Sequence, residues 1–174
     1  KHLLLLCAMV LALAVGVPAS AQYMYLDVNG VGGCTIDDVL SETTTSFDVW
    51  LDTNSNADGT DAVCRMSADP LTINSYQFIV RSTGGVTYGT WTDALGFTIN
   101  LGGVQSGDDA WIGRGSGSIL PPGLYRLGTY TITVSGTPEL AIVPSTTAAP
   151  SALTSFGSAC VSAQGSNTLR LGED

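Results

Sequence analysis

Oxygen-bearing side chains recur at every second position in the segment LDTNSNADGT, residues 51–60. Carboxylate and amide oxygens are the ligands that Ca²⁺ prefers, and extracellular modules often bind it weakly, with a Kd of about 10⁻⁴ to 10⁻³ M. A solvated turn explains the same composition, because Asn, Asp and Gly are the usual turn residues. The segment therefore predicts a loop leaving a strand that is either a weak calcium site or a polar turn. The candidate calcium ligands are Asp52, Asn54, Asn56, Asp58 and Asp61.

A second acidic segment, YLDVNGVGGCTIDDVL at 25–40, looks like the calcium loop of EF-hands and dockerins. If Asp27 takes the first ligand position, Asn29 takes the third and Asp38 the twelfth. The fifth position needs an oxygen ligand and holds Val31. A degenerate loop or a glycine turn is therefore favoured, and Asp27, Asn29 and Asp38 are the weaker metal candidates.

The start of the chain has the pattern of a secretory signal peptide. An apolar run from Leu3 to Val17 is followed by Ala19-Ser20-Ala21, an A-x-A cleavage pattern. The run of about 15 residues is shorter than the roughly 20 that cross a bilayer. We expect residues 1–21 to be removed, which places the protein outside the cell or on its surface with no membrane span. The lack of an initiator Met predicts a start clipped by a few residues.

Removal of this leader changes the chemistry that the chain can perform. It takes away Lys1 and His2, the only Lys and the only His, so the formal net charge of −9 becomes −10. Such a charge argues against nucleic acid and anionic membranes as partners. Without His or Lys there is no Ser-His-Asp triad, Schiff-base lysine or His-ligated zinc. Only paired carboxylates, as in glycoside hydrolases, could support catalysis, so we expect a non-catalytic protein of one domain.

Three cysteines follow the leader, namely Cys34, Cys64 and Cys160. In an oxidising compartment two of them are expected to pair. Cys34 and Cys64 each end an acidic segment, so a bridge between them is predicted. Closing a loop of about 30 residues would stabilise the fold by about 3 to 4 kcal/mol. Cys160 is either free or paired beyond Asp174, where the abrupt ending LGED predicts a truncated chain.

Short runs of alternating apolar and polar residues, separated by Gly, Asn, Asp and Pro, fill the chain from Gln22 onward. About nine such runs predict an all-β sandwich. In the run at 71–82 the predicted core positions are Ile73, Tyr76, Phe78 and Val80. Gly128 predicts a bulge in the run at 124–135. The only helix candidate is TIDDVLSE, residues 35–42.

Aromatic side chains offer a route to carbohydrate binding, because flat rings stack on the faces of sugars. Trp91 in GTWTD and Trp111 in DDAWIG lie nearest to turn residues. These two are therefore the candidates for exposed ligand-binding platforms. Packing in the core of the sandwich is the alternative for each of them.

The order of four segments resembles that of cohesin domains: SFDVWLDT, LTINSYQFIVRS, GGVTYGTW and PPGLYRLGTYTITVS. The resemblance covers about residues 46–172. Cohesins are jelly-roll β-sandwiches that bind dockerins, and they are similar in fold to family 3 carbohydrate-binding modules. The resemblance implies a jelly roll at 46–174 and a dockerin-like protein partner. Residues 22–45 would then form an N-terminal strand and the degenerate acidic loop.

The sequence as a whole predicts a secreted, non-catalytic binding or adhesion module. Its sandwich would present a surface to an extracellular protein or polysaccharide. One alternative is a carbohydrate-binding module that uses Trp91 and Trp111. Another is a structural subunit of an extracellular surface layer or fibre, which the Gly-, Ser- and Thr-rich composition would also suit.

Overall fold

Nearly all of the alternating runs form strands. The structure, a computed structural model, describes residues 22–28, 39–56, 59–63, 69–157 and 167–168. Its strands are β1 Gln22–Asp27, β2 Ser46–Asn56, β3 Ile73–Ser82, β4 Val86–Asp93, β5 Ile99–Ser106, β6 Asp109–Leu120, β7 Leu124–Val134, β8 Leu140–Val143, β9 Ser155–Gly157 and β10 Asn167–Thr168. No helix occurs in this part of the chain. The prediction of an all-β fold is confirmed for the described residues.

The strands form two antiparallel sheets. The first sheet has the order β1-β2-β7-β4, and the second has the order β10-β9-β3-β6-β5, with β8 paired to β3. Every pair is antiparallel, which is the arrangement of a β-sandwich. β4 therefore lies at one edge of the first sheet, and β5 lies at one edge of the second.

Alternation along each strand directs one row of side chains into the core between the sheets. The predicted core row of β3 is buried, with Ile73, Tyr76, Phe78 and Val80 at most 1% exposed. The opposing row comes from β2 and β7. Its members are Phe47, Val49, Leu51, Leu127, Tyr130 and Ile132.

The predicted bulge in β7 lies next to Gly128. Val49 pairs with Gly128 and Trp50 pairs with Arg126, so one residue, Leu127, is left without a partner on β2. The extra residue reverses the inward and outward positions. Leu127 and Tyr130, three positions apart, therefore both enter the core.

The predicted helix at 35–42 is wrong for its described part, residues 39–42. Val39 forms an antiparallel bridge with Glu139, and Leu40 is buried. The backbone N–H of Thr44 then donates to the carbonyl of Ser41 at 2.9 Å, which closes a turn. The Ser41 side chain joins this turn through Thr44 Oγ1 at 3.3 Å. Hydroxyl side chains that bond locally compete with helix formation, which explains the difference.

Two strand boundaries also differ from the sequence pattern. β2 continues to Asn56, so six of the ten residues predicted as a loop at 51–60 belong to a strand. The segment GFTINLG predicts a strand over 96–102 that ends at Gly102, whereas β5 runs from Ile99 to Ser106. Gly102 and Gly103 therefore lie in the middle of the strand.

Several predictions concern residues outside the described part of the chain. These are the signal peptide at 1–21, the bridge between Cys34 and Cys64, Cys160, and the metal candidates Asn29, Asp38 and Asp58. They remain predictions. Among the described residues, no helix has the length and apolar character needed to cross a membrane.

Candidate ligand-binding site

An open depression of about 360 Å³ lies where the edge strands β4 and β5 approach each other. Its size falls at the lower end of the range for small-molecule sites, about 300 to 1,000 Å³. Both tryptophans singled out from the sequence line it, although 20 positions separate them. The lining residues are Gly89, Thr90, Trp91, Asn100, Gly102, Gly103, Val104, Gln105, Trp111, Ile112, Arg114 and Tyr130.

Trp111 is held by its cross-strand neighbours and by a glycine. It pairs with Ile79 on β3 and with Val104 on β5. A Cβ at Gly102 would lie 2.5 Å from Cη2 of Trp111, so any side chain there would collide with the indole. Gly102 also has a φ of +133°, which disfavours residues with a side chain. The register of β5 against β6 shifts between Asn100 and Gly102, which marks a bulge in β5. The indole of Trp111 therefore packs closely against this bulge.

Arg114 is anchored in the depression through one nitrogen of its guanidinium. Nη1 donates to Asn100 Oδ1 at 2.8 Å, to the Gly113 carbonyl at 2.7 Å and to the Gly102 carbonyl at 3.3 Å. Asn100 Oδ1 also accepts the backbone N–H of Gly102 at 3.0 Å. The bulge in β5 thus fixes both the amide of Asn100 and the orientation of Arg114.

Gln105 connects the two sheets at their edges. Its Nε2 donates to the Gly89 carbonyl on β4 at 3.2 Å and to the Tyr130 hydroxyl at 3.3 Å. Burial raises the pKa of the Tyr130 phenol, so this hydroxyl stays neutral at physiological pH. The polar groups at this end of the depression are consequently uncharged hydrogen-bonding groups.

Trp91 is only 9% exposed, so the expectation that it stands on the surface is wrong. Its ring packs edge-on against Phe78 at a centroid distance of 5.0 Å. Its Nε1 donates to the Tyr76 hydroxyl at 3.2 Å. The register of β4 against β7 shifts between Tyr88 and Trp91. This irregularity directs both side chains into the core. Trp91 therefore supports the depression from the core side.

Tyr76 extends the network that holds Trp91. Its hydroxyl donates to the Asp93 carboxylate, whose other oxygen accepts the backbone N–H of Phe97 at 2.8 Å. Burial, reinforced by the hydrogen bond to Asp93, raises the pKa of the Tyr76 phenol well above its ordinary value. The phenol remains a neutral donor, and the network fixes the chain that leads from β4 to β5.

Three polar residues of the depression were not predicted from the sequence, namely Asn100, Gln105 and Arg114. Polar residues on a strand ordinarily face solvent, and their grouping depends on the pairing of β5 with β6. The one sequence signal was the Gly-Gly pair inside INLGGVQS, because glycines within a strand mark bulges and close approaches.

The acidic segment after β2 has a different arrangement. Tyr23 pairs with Asp52 and Gln22 pairs with Asn56, so residues 53–55 bulge away from β1. The Asp52 carboxylate closes this bulge by accepting the backbone N–H groups of Asn54 at 2.7 Å and Ser55 at 3.1 Å. Asp52 thus has a structural role in the sheet.

Asn56 is 5% exposed and its amide is only partly satisfied. Nδ2 donates to Thr60 Oγ1 at 2.8 Å and to the Asp61 carbonyl at 3.1 Å, whereas the buried Oδ1 accepts no hydrogen bond from the residues that the structure describes. Asn54 and Asp61 are exposed. Asp27 is buried on β1 opposite Asp48. Within the described ranges, no group of three or more His, Cys, Asp or Glu is arranged to hold a metal ion.

Comparison with models of known protein families finds no match to this chain. Comparisons with curated proteins and with solved structures find no match either. The resemblance to cohesins therefore stays a prediction from the order of sequence segments.

Proposed function

We propose that this chain is a secreted, non-catalytic binding module and that the depression between β4 and β5 holds an extracellular polysaccharide. The observation that carries the proposal is the composition of the depression. Trp111, a partly exposed indole, lines it together with Asn100, Gln105 and Arg114. Alternation along β6 directs the side chains of Trp111 and Arg114 to opposite faces of that strand. A site for sugars needs an apolar face for ring carbons and hydrogen-bonding groups for hydroxyls.

The proposed lack of catalysis has support in the same lining. Glycosidases place two carboxyl groups about 5 to 9.5 Å apart across the scissile bond. Among the described residues, none of those that line the depression is an Asp or a Glu. Extracellular placement is supported by the predicted signal peptide. The coarse architecture, a sandwich of two antiparallel sheets, agrees with what the cohesin resemblance implied.

Binding to immobilised polysaccharides tests this proposal. We expect the protein to be retained, and Trp111→Ala to weaken binding about 10- to 100-fold, because burying one large side chain contributes about 1.5 to 3 kcal/mol. Trp50→Ala is the matched control, since Trp50 is also partly exposed but stacks on Tyr25 in the other sheet, with ring centroids 6.2 Å apart. Circular dichroism checks that both variants are folded.

Failure of the protein to bind any polysaccharide at millimolar sugar would contradict the proposal. An equal loss in Trp50→Ala would also contradict it, because the loss would then not report on the depression.

A dockerin-like or other protein partner is the second candidate. Three apolar side chains on β5 are unusually exposed, with Ile99 at 49%, Leu101 at 51% and Val104 at 42%. Leu101 lies over Gly113 and Gly115 of β6, where added Cβ atoms would meet it at 3.1 and 3.5 Å. Such an apolar patch on a strand at a sheet edge is typical of interaction surfaces. Binding that Leu101→Ser abolishes and Trp111→Ala spares would favour this candidate.

We also propose that the acidic segment weakly binds calcium, with Asp52, Asn54, Asn56, Asp58 and Asp61 as its ligands. Support comes from the buried Oδ1 of Asn56, which lacks a donor, and from the negative net charge of the chain. Calcium at ten times its Kd would stabilise the fold by about 1.4 kcal/mol. For a domain of this size that corresponds to a rise in Tm of a few degrees, about 3 to 6 °C.

Thermal melts in millimolar calcium and in chelator measure this rise. Asp52→Asn is the informative variant, because an amide oxygen can still accept the N–H groups of Asn54 and Ser55 while the charge is lost. We expect the calcium-dependent rise to shrink in that variant. If the melting curves of the native chain in calcium and in chelator superimpose, the acidic segment is a polar turn and the calcium proposal is wrong.

A further inference from the structure

Arg114 differs from the other arginines that the structure describes. Arg81 pairs with Asp109 at 2.7 Å, and Arg126 pairs with Asp48 at 3.3 Å. Arg114 forms no ion pair with a carboxylate of the described residues, and the three acceptors around its Nη1 are neutral amide and carbonyl oxygens. Its positive charge is therefore oriented by the protein without being neutralised by a neighbouring carboxylate.

The surroundings of Arg114 make this charge available to a ligand. Its guanidinium lines the open depression, and no acidic residue of the described chain shares the lining. The depression is thus a locally positive site on a chain with a formal net charge of −9. Charges separated by more than about 8 Å are largely screened at physiological ionic strength, so contact chemistry dominates over the overall charge.

We infer that the depression recognises a carboxylate-bearing sugar, namely a hexuronate unit of an acidic extracellular polysaccharide. The inference rests on the proposed function and specifies its ligand class. A guanidinium offers a planar fork of donors that matches a carboxylate, and charge-assisted pairs of this kind are the stronger hydrogen bonds. The apolar residues of the lining, among them Ile112 on the same face of β6 as Arg114, would contact the ring carbons. The amides of Asn100 and Gln105, which also line the depression, would hydrogen-bond the sugar hydroxyls.

The recognition has a geometric basis in the bulge of β5. Asn100 Oδ1 bonds both the Gly102 N–H and Arg114 Nη1, so the backbone of the bulge and the charge are linked. Nη1 is occupied by protein acceptors, which leaves the rest of the guanidinium to contact the ligand. A preoriented charged donor loses less conformational entropy on binding than a mobile one.

Isothermal titration of the native chain with hexagalacturonate and with cellohexaose tests the inference. We expect hexagalacturonate to bind. Arg114→Gln should weaken that binding at least about tenfold, because a hydrogen bond to a charged group contributes more binding free energy than one between neutral groups. Arg126→Gln removes the same charge from the other sheet and is the matched control, with no expected change. Arg114→Lys keeps the positive charge but not the planar fork of guanidinium donors, so its loss of affinity for hexagalacturonate should be intermediate.

A second variant keeps the test decisive if Arg114→Gln does not fold. Asn100 is exposed, and Asn100→Asp would place a carboxylate against Arg114 and neutralise it. We expect this variant to lose its affinity for hexagalacturonate.

Equal affinity for both hexasaccharides, unchanged by Arg114→Gln, would overturn the inference while leaving the proposed function intact. Binding of neither sugar would overturn both. Arg114-dependent binding of a peptide through its terminal carboxylate, without binding of hexagalacturonate, would replace the polysaccharide with a protein ligand.

Discussion

Gly128→Ala is expected to lower the free energy of unfolding by about 3 kcal/mol, because an added methyl group has no space in the first sheet. Its Cβ would lie 2.5 Å from Cζ2 of Trp91 and still closer to the Thr92 carbonyl oxygen. Gly128 is paired with Val49 on one side and with Asp93 on the other, so the backbone is held from both directions. Neither the backbone oxygen nor the packed indole can move without breaking other contacts.

Gly117→Ala is the matched control for this substitution. A Cβ at Gly117 would have no heavy atom within 4 Å, and its backbone lies in a strand. We expect the free energy of unfolding to change by no more than about 0.5 kcal/mol, as at other open surface positions. Urea denaturation of the two variants measures the difference. Equal midpoints would show that β7 and Trp91 are less closely packed at Gly128 than the structure indicates.

The role of Gly128 shows what the sequence could provide. A glycine inside the run at 124–135 was enough to predict a bulge, because glycine weakens a strand and permits close approach. Strand alternation likewise predicts the core row of β3, in which Tyr76, Phe78 and Val80 lie at every second position. The partner that requires a glycine at 128 is Trp91, more than 30 positions earlier. No local pattern contains that contact.

The candidate site was predictable to a smaller extent. Trp111 was identified because it lies beside a turn, and the structure places it at the depression. Arg114 follows it by three positions, but the sequence gives no signal for a site there, since an arginine on a strand is usually solvated. Its orientation in the depression arises from Asn100 and the bulge in β5, which depend on cross-strand register. Register is a property of two strands together, so a single segment does not reveal it.

The acidic segment illustrates how tertiary context overrides local composition. Alternating oxygen-bearing side chains and a glycine predicted a loop, and turn propensity favours that interpretation. Pairing with β1, in which Gln22 lies opposite Asn56, nevertheless extends β2 through Asn56. The Asp52 carboxylate makes this extension stable by bonding the N–H groups that the bulge leaves without strand partners. A residue interpreted as a metal ligand thus also maintains the sheet.

Trp91→Ala is expected to destabilise the protein by about 4 kcal/mol, which is the usual cost of deleting a core indole. Trp91 packs against Phe78 at 5.0 Å and Tyr130 at 5.7 Å between ring centroids, and it covers Gly128. The substitution would also remove the N–H that Tyr76 accepts at 3.2 Å. A typical domain has only about 5 to 15 kcal/mol of stability, so a large share would be lost.

The two tryptophans that line the depression are expected to differ in how much they contribute to stability. Trp111 is partly exposed, so Trp111→Ala should lower stability less than Trp91→Ala and act chiefly on ligand binding. Urea denaturation of both variants, together with polysaccharide binding under folded conditions, measures the two effects separately. Trp91→Phe is an intermediate variant, since it retains an aromatic ring in the core but is smaller and cannot donate to Tyr76. If Trp91→Ala kept native stability and lost only the polysaccharide, Trp91 would be a direct ligand contact, and its assignment to the core would be wrong.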